Sequence, residues 1–147
     1  MKKVICLFVF LSVYFTSYAQ KEEISMAAIL TTAGEYTELI EMEYGQEIVR
    51  MEFDIIHTTK QSIRTLSNSY EYGIIAFGDY RIKDIDIKVY KYTNGQWTLV
   101  EEDQETSSSA AVVVTPYTTS EYMIEISAYE FNSGYDVGHY GLIIFHE

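Results

Sequence analysis

The run Asp84-Ile85-Asp86-Ile87-Lys88-Val89-Tyr90, followed by Thr93-Asn94-Gly95-Gln96 and then Trp97-Thr98-Leu99-Val100-Glu101, decides the fold class. Apolar residues at every second position mark a strand with one buried face: Ile85, Ile87 and Val89 point one way, Asp84, Asp86, Lys88 and Tyr90 the other. Asn-Gly tolerates the positive φ of a tight primed turn, whose twist matches two antiparallel strands, so the stretch predicts a hairpin between strands over 85–92 and 96–101. Working outward, Ile40, Met42 and Tyr44 alternate with Glu41 and Glu43, and Val49, Met51, Phe53 and Ile55 alternate with Arg50, Glu52 and Asp54, which predicts two more half-buried strands. Further strand-like runs fall at 70–77, 110–115, 122–129 and 139–145, while the polar segment over 58–69 reads as irregular. In front of them Ile24, Ala27, Ala28, Leu30 and Ala33 recur at helical intervals, with Gly34 as the stop of a short helix. Many short strands and no long helix to carry parallel crossovers predict an all-β fold, an antiparallel β-sandwich of jelly-roll type with a short N-terminal helix.

The chain has 147 residues, 48% of them apolar and 22% charged, which fits one small folded domain and excludes disorder. Met1-Lys2-Lys3, the apolar run over 4–15 and Thr16-Ser17-Tyr18-Ala19 form the charged, apolar and small-residue regions of a secretory signal, with cleavage expected after Ala19. The resulting plan is a signal peptide over 1–19, a helix and lead-in over 20–38 and a sandwich over 39–147, in a secreted or periplasmic protein that does not insert in the membrane once cleaved. The single cysteine, Cys6, lies in the leader, so a mature chain is held by its core and not by disulfides.

Removal of Lys2 and Lys3 leaves 8 basic against 22 acidic side chains, a formal charge of −14. Nucleic acid is excluded as a partner on this ground, because phosphates are met by clustered Lys and Arg, and here Arg81, Lys83, Lys88 and Lys91 are interleaved with Asp79, Asp84 and Asp86. Divalent cations are the ligands an acidic surface suits. Asp84 and Asp86 share one face of their strand and Asp103 follows the hairpin, so the three could hold a calcium ion if their carboxylates lean together, each oxygen about 2.4 Å from the metal. The same aspartates can instead cap turns, pair with Lys83 or Lys88, or face water.

Catalytic patterns are missing from the sequence. No Gly-x-Ser-x-Gly elbow or His-Glu-x-x-His grouping occurs, and the three imidazoles, His57, His139 and His146, are not at metal-ligand spacing. Tyrosine is the compositional oddity, with 14 in the chain. Tyr122 and Tyr140 alternate in phase with Ile124 and Leu142 and are expected in the core, whereas Tyr80, Tyr90, Tyr92, Tyr117, Tyr129 and Tyr135 fall on polar faces or in loops, where rings can stack on a sugar or anchor a protein, Tyr80 and Tyr135 being the ligand-binding candidates. Tyrosine is also simply a good strand former.

Gly78-Asp79, Asp84 through Tyr90, the turn at Asn94-Gly95, Glu102-Asp103, Thr115-Pro116, Glu121-Tyr122-Met123-Ile124 and Gly138-His139-Tyr140-Gly141-Leu142 follow one another in an order that resembles the bacterial pre-peptidase C-terminal (PPC) domain and its relatives, exported jelly-roll sandwiches. The resemblance covers about residues 70–147 and implies a frame without catalytic machinery, in a family that accompanies secreted peptidases and some of whose members bind calcium or matrix polymers. Ser120 stands where the family pattern usually has Gly, and the chain resembles a free-standing member. The expected function is a non-catalytic binding or accessory module, calcium being its one candidate cofactor, that contacts a protein or a glycan through Tyr80 and Tyr135. The alternative is an envelope assembly or stabilising protein with no small ligand.

Overall fold

The computed structural model describes residues 26–147, so the leader, its cleavage point and Cys6 lie outside the described residues. Helix α1, Ala27–Thr37, continues directly into a π-helical stretch, Glu38–Glu43. Eight strands follow: β1 Glu47–Ile56, β2 Thr59–Leu66, β3 Tyr72–Gly78, β4 Ile82–Thr93, β5 Gln96–Asp103, β6 Ser109–Val114, β7 Ser120–Phe131 and β8 Gly138–His146. They form two antiparallel sheets, β1-β8-β3-β6 and β2-β7-β4-β5. Every connection except the β4–β5 hairpin crosses from one sheet to the other, which is jelly-roll winding. The hairpin closes as the sequence predicts, Thr93 opposite Gln96 with Asn94 and Gly95 at φ of 54° and 83°.

The space between the sheets is filled by side chains that alternate inward, among them Ile74 and Ala76 of β3, Ile85, Ile87 and Val89 of β4, Tyr122, Ile124 and Ile126 of β7, and Tyr140, Leu142 and Ile144 of β8. A second, smaller core lies on the outer side of the first sheet. There Ile29 and Ala33 of α1 and Ile40 of the π turn cover Phe77 and Ile143, with Tyr36, Phe53 and Phe145 at its margin. The molecule therefore has a helical layer on top of its two sheets, and β8 is buried on both faces from Gly138 to Ile144.

Four local expectations are corrected. Gly34 does not end the helix. Its Cβ position meets nothing within 4 Å, and the spacing Ile29, Ala33, Ile40 keeps one stripe on the sheet as far as Glu43. The alternation at Ile40, Met42 and Tyr44 is consequently not a strand: Ile40 is buried, while Met42 and Tyr44 are 80% and 67% exposed. In β1 the face toward the second sheet is polar at Glu52 and Asp54 and apolar at Ile56, which is buried in the main core. Glu52 and Asp54 stand opposite Leu142 and Tyr140, a register shift at Ile48/Arg50 interrupts the pattern, and Val49 and Ile55 are exposed. The irregular segment of the sequence reading is strand β2, the edge of the second sheet, tied to β1 by ion pairs Glu52–Arg64 and Asp54–Lys60.

The outer face of β3 and β8 also shows a paired device. Gly73 lies opposite Phe145 and Phe77 opposite Gly141, so each ring lies across a glycine on the neighbouring strand. A Cβ at Gly141 would stand 2.4 Å from Phe77 Cζ, and Phe77 is fully enclosed. Replacing Gly141 by Ala is expected to destabilise the protein by about 1–3 kcal/mol in urea unfolding, the usual cost of overpacking; an unchanged midpoint would show that the ring yields freely.

Candidate functional site

One end of the sandwich is built from the β3–β4 turn and the β7–β8 loop. At the end of β3, the Asp79 carbonyl accepts from Ile82 N–H at 2.9 Å, closing a tight turn that carries Tyr80 and Arg81. Asn132 binds the second loop to this turn: its N–H donates to the Arg81 carbonyl at 2.9 Å and its Nδ2 to the Tyr80 carbonyl at 2.7 Å. The loop then folds back, Tyr135 N–H donating to the Asn132 carbonyl at 3.1 Å, with Gly134 at φ 92°. The result sets Tyr135 edge-on to Tyr80, ring centres 5.7 Å apart at 88°. Both rings remain accessible, 46% for Tyr80 and 37% for Tyr135. The two tyrosines singled out as ligand-binding candidates thus meet at one surface.

Under them lies a buried ionic cluster. Asp79, with its side chain 2% exposed, accepts from Arg81 Nε and Nη2, from Arg81 N–H at 3.0 Å and from His139 N–H at 3.0 Å. Burial pushes the Asp79 carboxyl up, but the bonds from Arg81 and from the two main-chain amides outweigh it and hold the group below its ordinary 3.8. Arg81 Nη2 also lies 2.6 Å from His139 Nδ1. A guanidinium only donates, so Nδ1 accepts, the ring proton sits on Nε2, and the 3.3 Å approach of Nδ1 to Asp79 is a contact and not an ion pair. Among the described residues the His139 ring bonds to nothing else, which leaves this cluster a staple joining β3, β4 and β8. Arg81, His139 and Asn132 were not singled out as site residues from the sequence; Asp79 entered as one of the acids interleaved with the basic groups and through the family resemblance.

The aspartate edge is assembled differently from the sequence expectation. Register shifts on both sides of Asp84 turn its side chain inward, where it is 4% exposed and accepts from Ser107 N–H at 3.1 Å. Asp103 accepts from Glu105 N–H at 3.0 Å and from Ala111 N–H at 2.9 Å. Around Asp86 the like charges outnumber the single opposing one, Lys88: burial first, then Asp84, Asp103 and Glu102, push its carboxyl above the ordinary 3.8. Among the described residues no three His, Cys, Asp or Glu side chains form a group that could hold a metal ion.

No family model matches this chain, and no curated protein matches it. Among solved structures it is similar to the pre-peptidase C-terminal domain of a collagenase from Bacillus anthracis, at 13% identity and a TM-score of 0.48 over 65% of this chain and 87% of that one. It is also similar to the mitogen derived from Yersinia pseudotuberculosis, at 12% identity and 0.45 over 67% and 85%. A third likeness is to a periplasmic inhibitor of g-type lysozyme from Aeromonas hydrophila, at 9% identity and 0.43 over 71% and 90%. These are likenesses between β-sandwiches, and neither family nor function passes from them to this chain. No helix among the described residues is long and apolar enough to cross a membrane.

Two outcomes follow from the charges. Asp79→Asn removes one partner of an enclosed pair and is expected to cost about 3–5 kcal/mol in chemical unfolding. Because the folded carboxyl is depressed, its contribution is complete above 3.8 and fades as pH falls below that value, so the variant should lose part of the wild-type acid limb. Asp86 has the opposite sign: its raised value makes the ionised form a burden that grows as pH rises through and above 3.8, so Asp86→Asn should raise the melting temperature at neutral pH. The calcium expectation is decided by the same melts: a rise with calcium that Asp86→Asn abolishes would support it, and identical melts with calcium and chelator would remove it.

Proposed function

We propose that this chain is an exported, non-catalytic binding module of the PPC-like kind, and that the end of the sandwich carrying Tyr80 and Tyr135 contacts a glycan. The observation that carries the reading is the edge-to-face pair itself: two half-exposed rings from two different loops, held by Asn132 over a rigid Asp79–Arg81 base. Ring faces suit the apolar faces of sugars, and a phenol presents its ring to them without the cost of burying a charge. Arg81 lies 5.8 Å from the Tyr80 ring and is committed to Asp79, so it steadies the platform and is not the recognition group.

Immobilised polysaccharide arrays test this reading. Wild-type protein should be retained on at least one neutral glycan, and Tyr80→Ala and Tyr135→Ala should each weaken retention about tenfold, a typical loss for a stacking or hot-spot ring, with melting temperatures held. Retention that survives both substitutions, or capture by an envelope protein in place of any glycan, would overturn it.

A further inference from the structure

Among the described residues strand β6 is an edge, pairing with β3 on one side and with no strand on the other. Its Ser109 N–H donates to Ser107 Oγ at 3.2 Å and its Ala111 N–H to Asp103 Oδ2 at 2.9 Å, so both aim away from β3. The β3–β6 register runs without a shift from Phe77 opposite Ser109 to Tyr72 opposite Val114. Main-chain direction repeats every second residue of a strand, and Val113 therefore presents its N–H and C=O to the same open side. Among the described residues that N–H has no hydrogen-bond partner. Folded proteins guard bare edges with charged and polar side chains. Here Asp103 and Ser107 guard one half of β6 and leave the half at Val113 open.

That open half borders a groove of about 420 Å³ between β6 and β5, lined also by Lys91, Val100, Glu101, Tyr117 and Tyr122. Val113 and Val100 are 55% and 39% exposed. Lys91 reaches Thr118 Oγ1 at 3.1 Å and lies 6.0 Å from the Tyr122 ring, and among the described residues it makes no ion pair, whereas Lys60 and Lys83 each hold a carboxylate. Main-chain groups spaced as in a strand call for a partner whose own donors and acceptors repeat in that way, which a peptide has and a glycan lacks.

We propose that this groove takes an extended peptide segment that adds to β6, exchanges main-chain hydrogen bonds with Val113 and sets a carboxylate side chain against Lys91. It lies at the opposite end of β6 from the Asp79 staple, and the inference stands apart from the glycan reading of Tyr80 and Tyr135.

The test is a titration of isotope-labelled full chain with acetylated, amidated heptapeptides that alternate valine and threonine, half of them with a central aspartate. The Val113 amide should shift and become slow to exchange, and the aspartate peptides should bind more tightly. Val113→Pro, which deletes an N–H the free protein does not use, should weaken binding about tenfold. Asp103→Ala, which uncovers the Ala111 N–H and lengthens the open edge, should tighten it, a change of sign that general damage to the fold does not produce. The preference for the peptides with a central aspartate over those without it should vanish in Lys91→Met. Absence of peptide binding, an unmoved Val113 amide, weakening by Asp103→Ala, or self-association of the free chain through β6 would each overturn the proposal.

Discussion

Burial of β8 on both faces is the constraint on which the rest of the molecule depends. Tyr140, Leu142 and Ile144 point into the space between the sheets, and Ile143 with Phe145 points to the helical layer. A strand with alternating polar residues could serve only one of these cores. The run Leu142-Ile143-Ile144-Phe145 serves both, and β1 and β3 are held in register against it from either side. The Gly73–Phe145 and Phe77–Gly141 pairs are what let the helix approach: with larger residues at the glycines the rings would stand away from the sheet and leave Ile29 and Ile40 without a floor.

The acidic side chains that dominate the composition have structural work at three sheet margins. Asp103 caps the Ala111 N–H on β6, Asp54 caps the Ile55 N–H on β1, and Asp84 reaches inward to the Ser107 N–H. Glu52 is pushed up by burial, yet its bonds from Arg64 and Arg50 prevail and hold the carboxyl below its ordinary value, so the β1–β2 side is closed by charge and not by hydrocarbon. A surface of this kind keeps edge strands from pairing indiscriminately and leaves binding to the places where rings or bare main chain are presented.

The parts of the fold that were legible in the sequence are those whose signal is local. The β4–β5 hairpin needs only alternation and Asn-Gly, and Tyr122 and Tyr140 sit in the core where their phase puts them. Illegible parts follow from tertiary context. Ile40, Met42 and Tyr44 mimic a strand because a helical stripe one residue wide leaves its other positions free to be apolar. Strand β2 carries no apolar alternation because it is an edge that faces the ion pairs of β1. The inward turn of Asp84 depends on two register shifts that no pattern marks, and the expectation of three clustered aspartates assumed a regular strand there. Tyr80 and Tyr135 could be singled out as loop tyrosines, but their meeting depends on Asn132, whose bonds span two loops far apart in the chain.

Native-state hydrogen exchange on the full chain tests the central place of β8 most directly. Doubly covered strand amides open only with global unfolding, so Leu142, Ile143 and Ile144 should be among the slowest in the molecule, well behind the amides of the edge strand β5. Exchange of β8 at the pace of β5, or loss of its protection in step with fraying of α1, would contradict an architecture in which two cores meet on one strand.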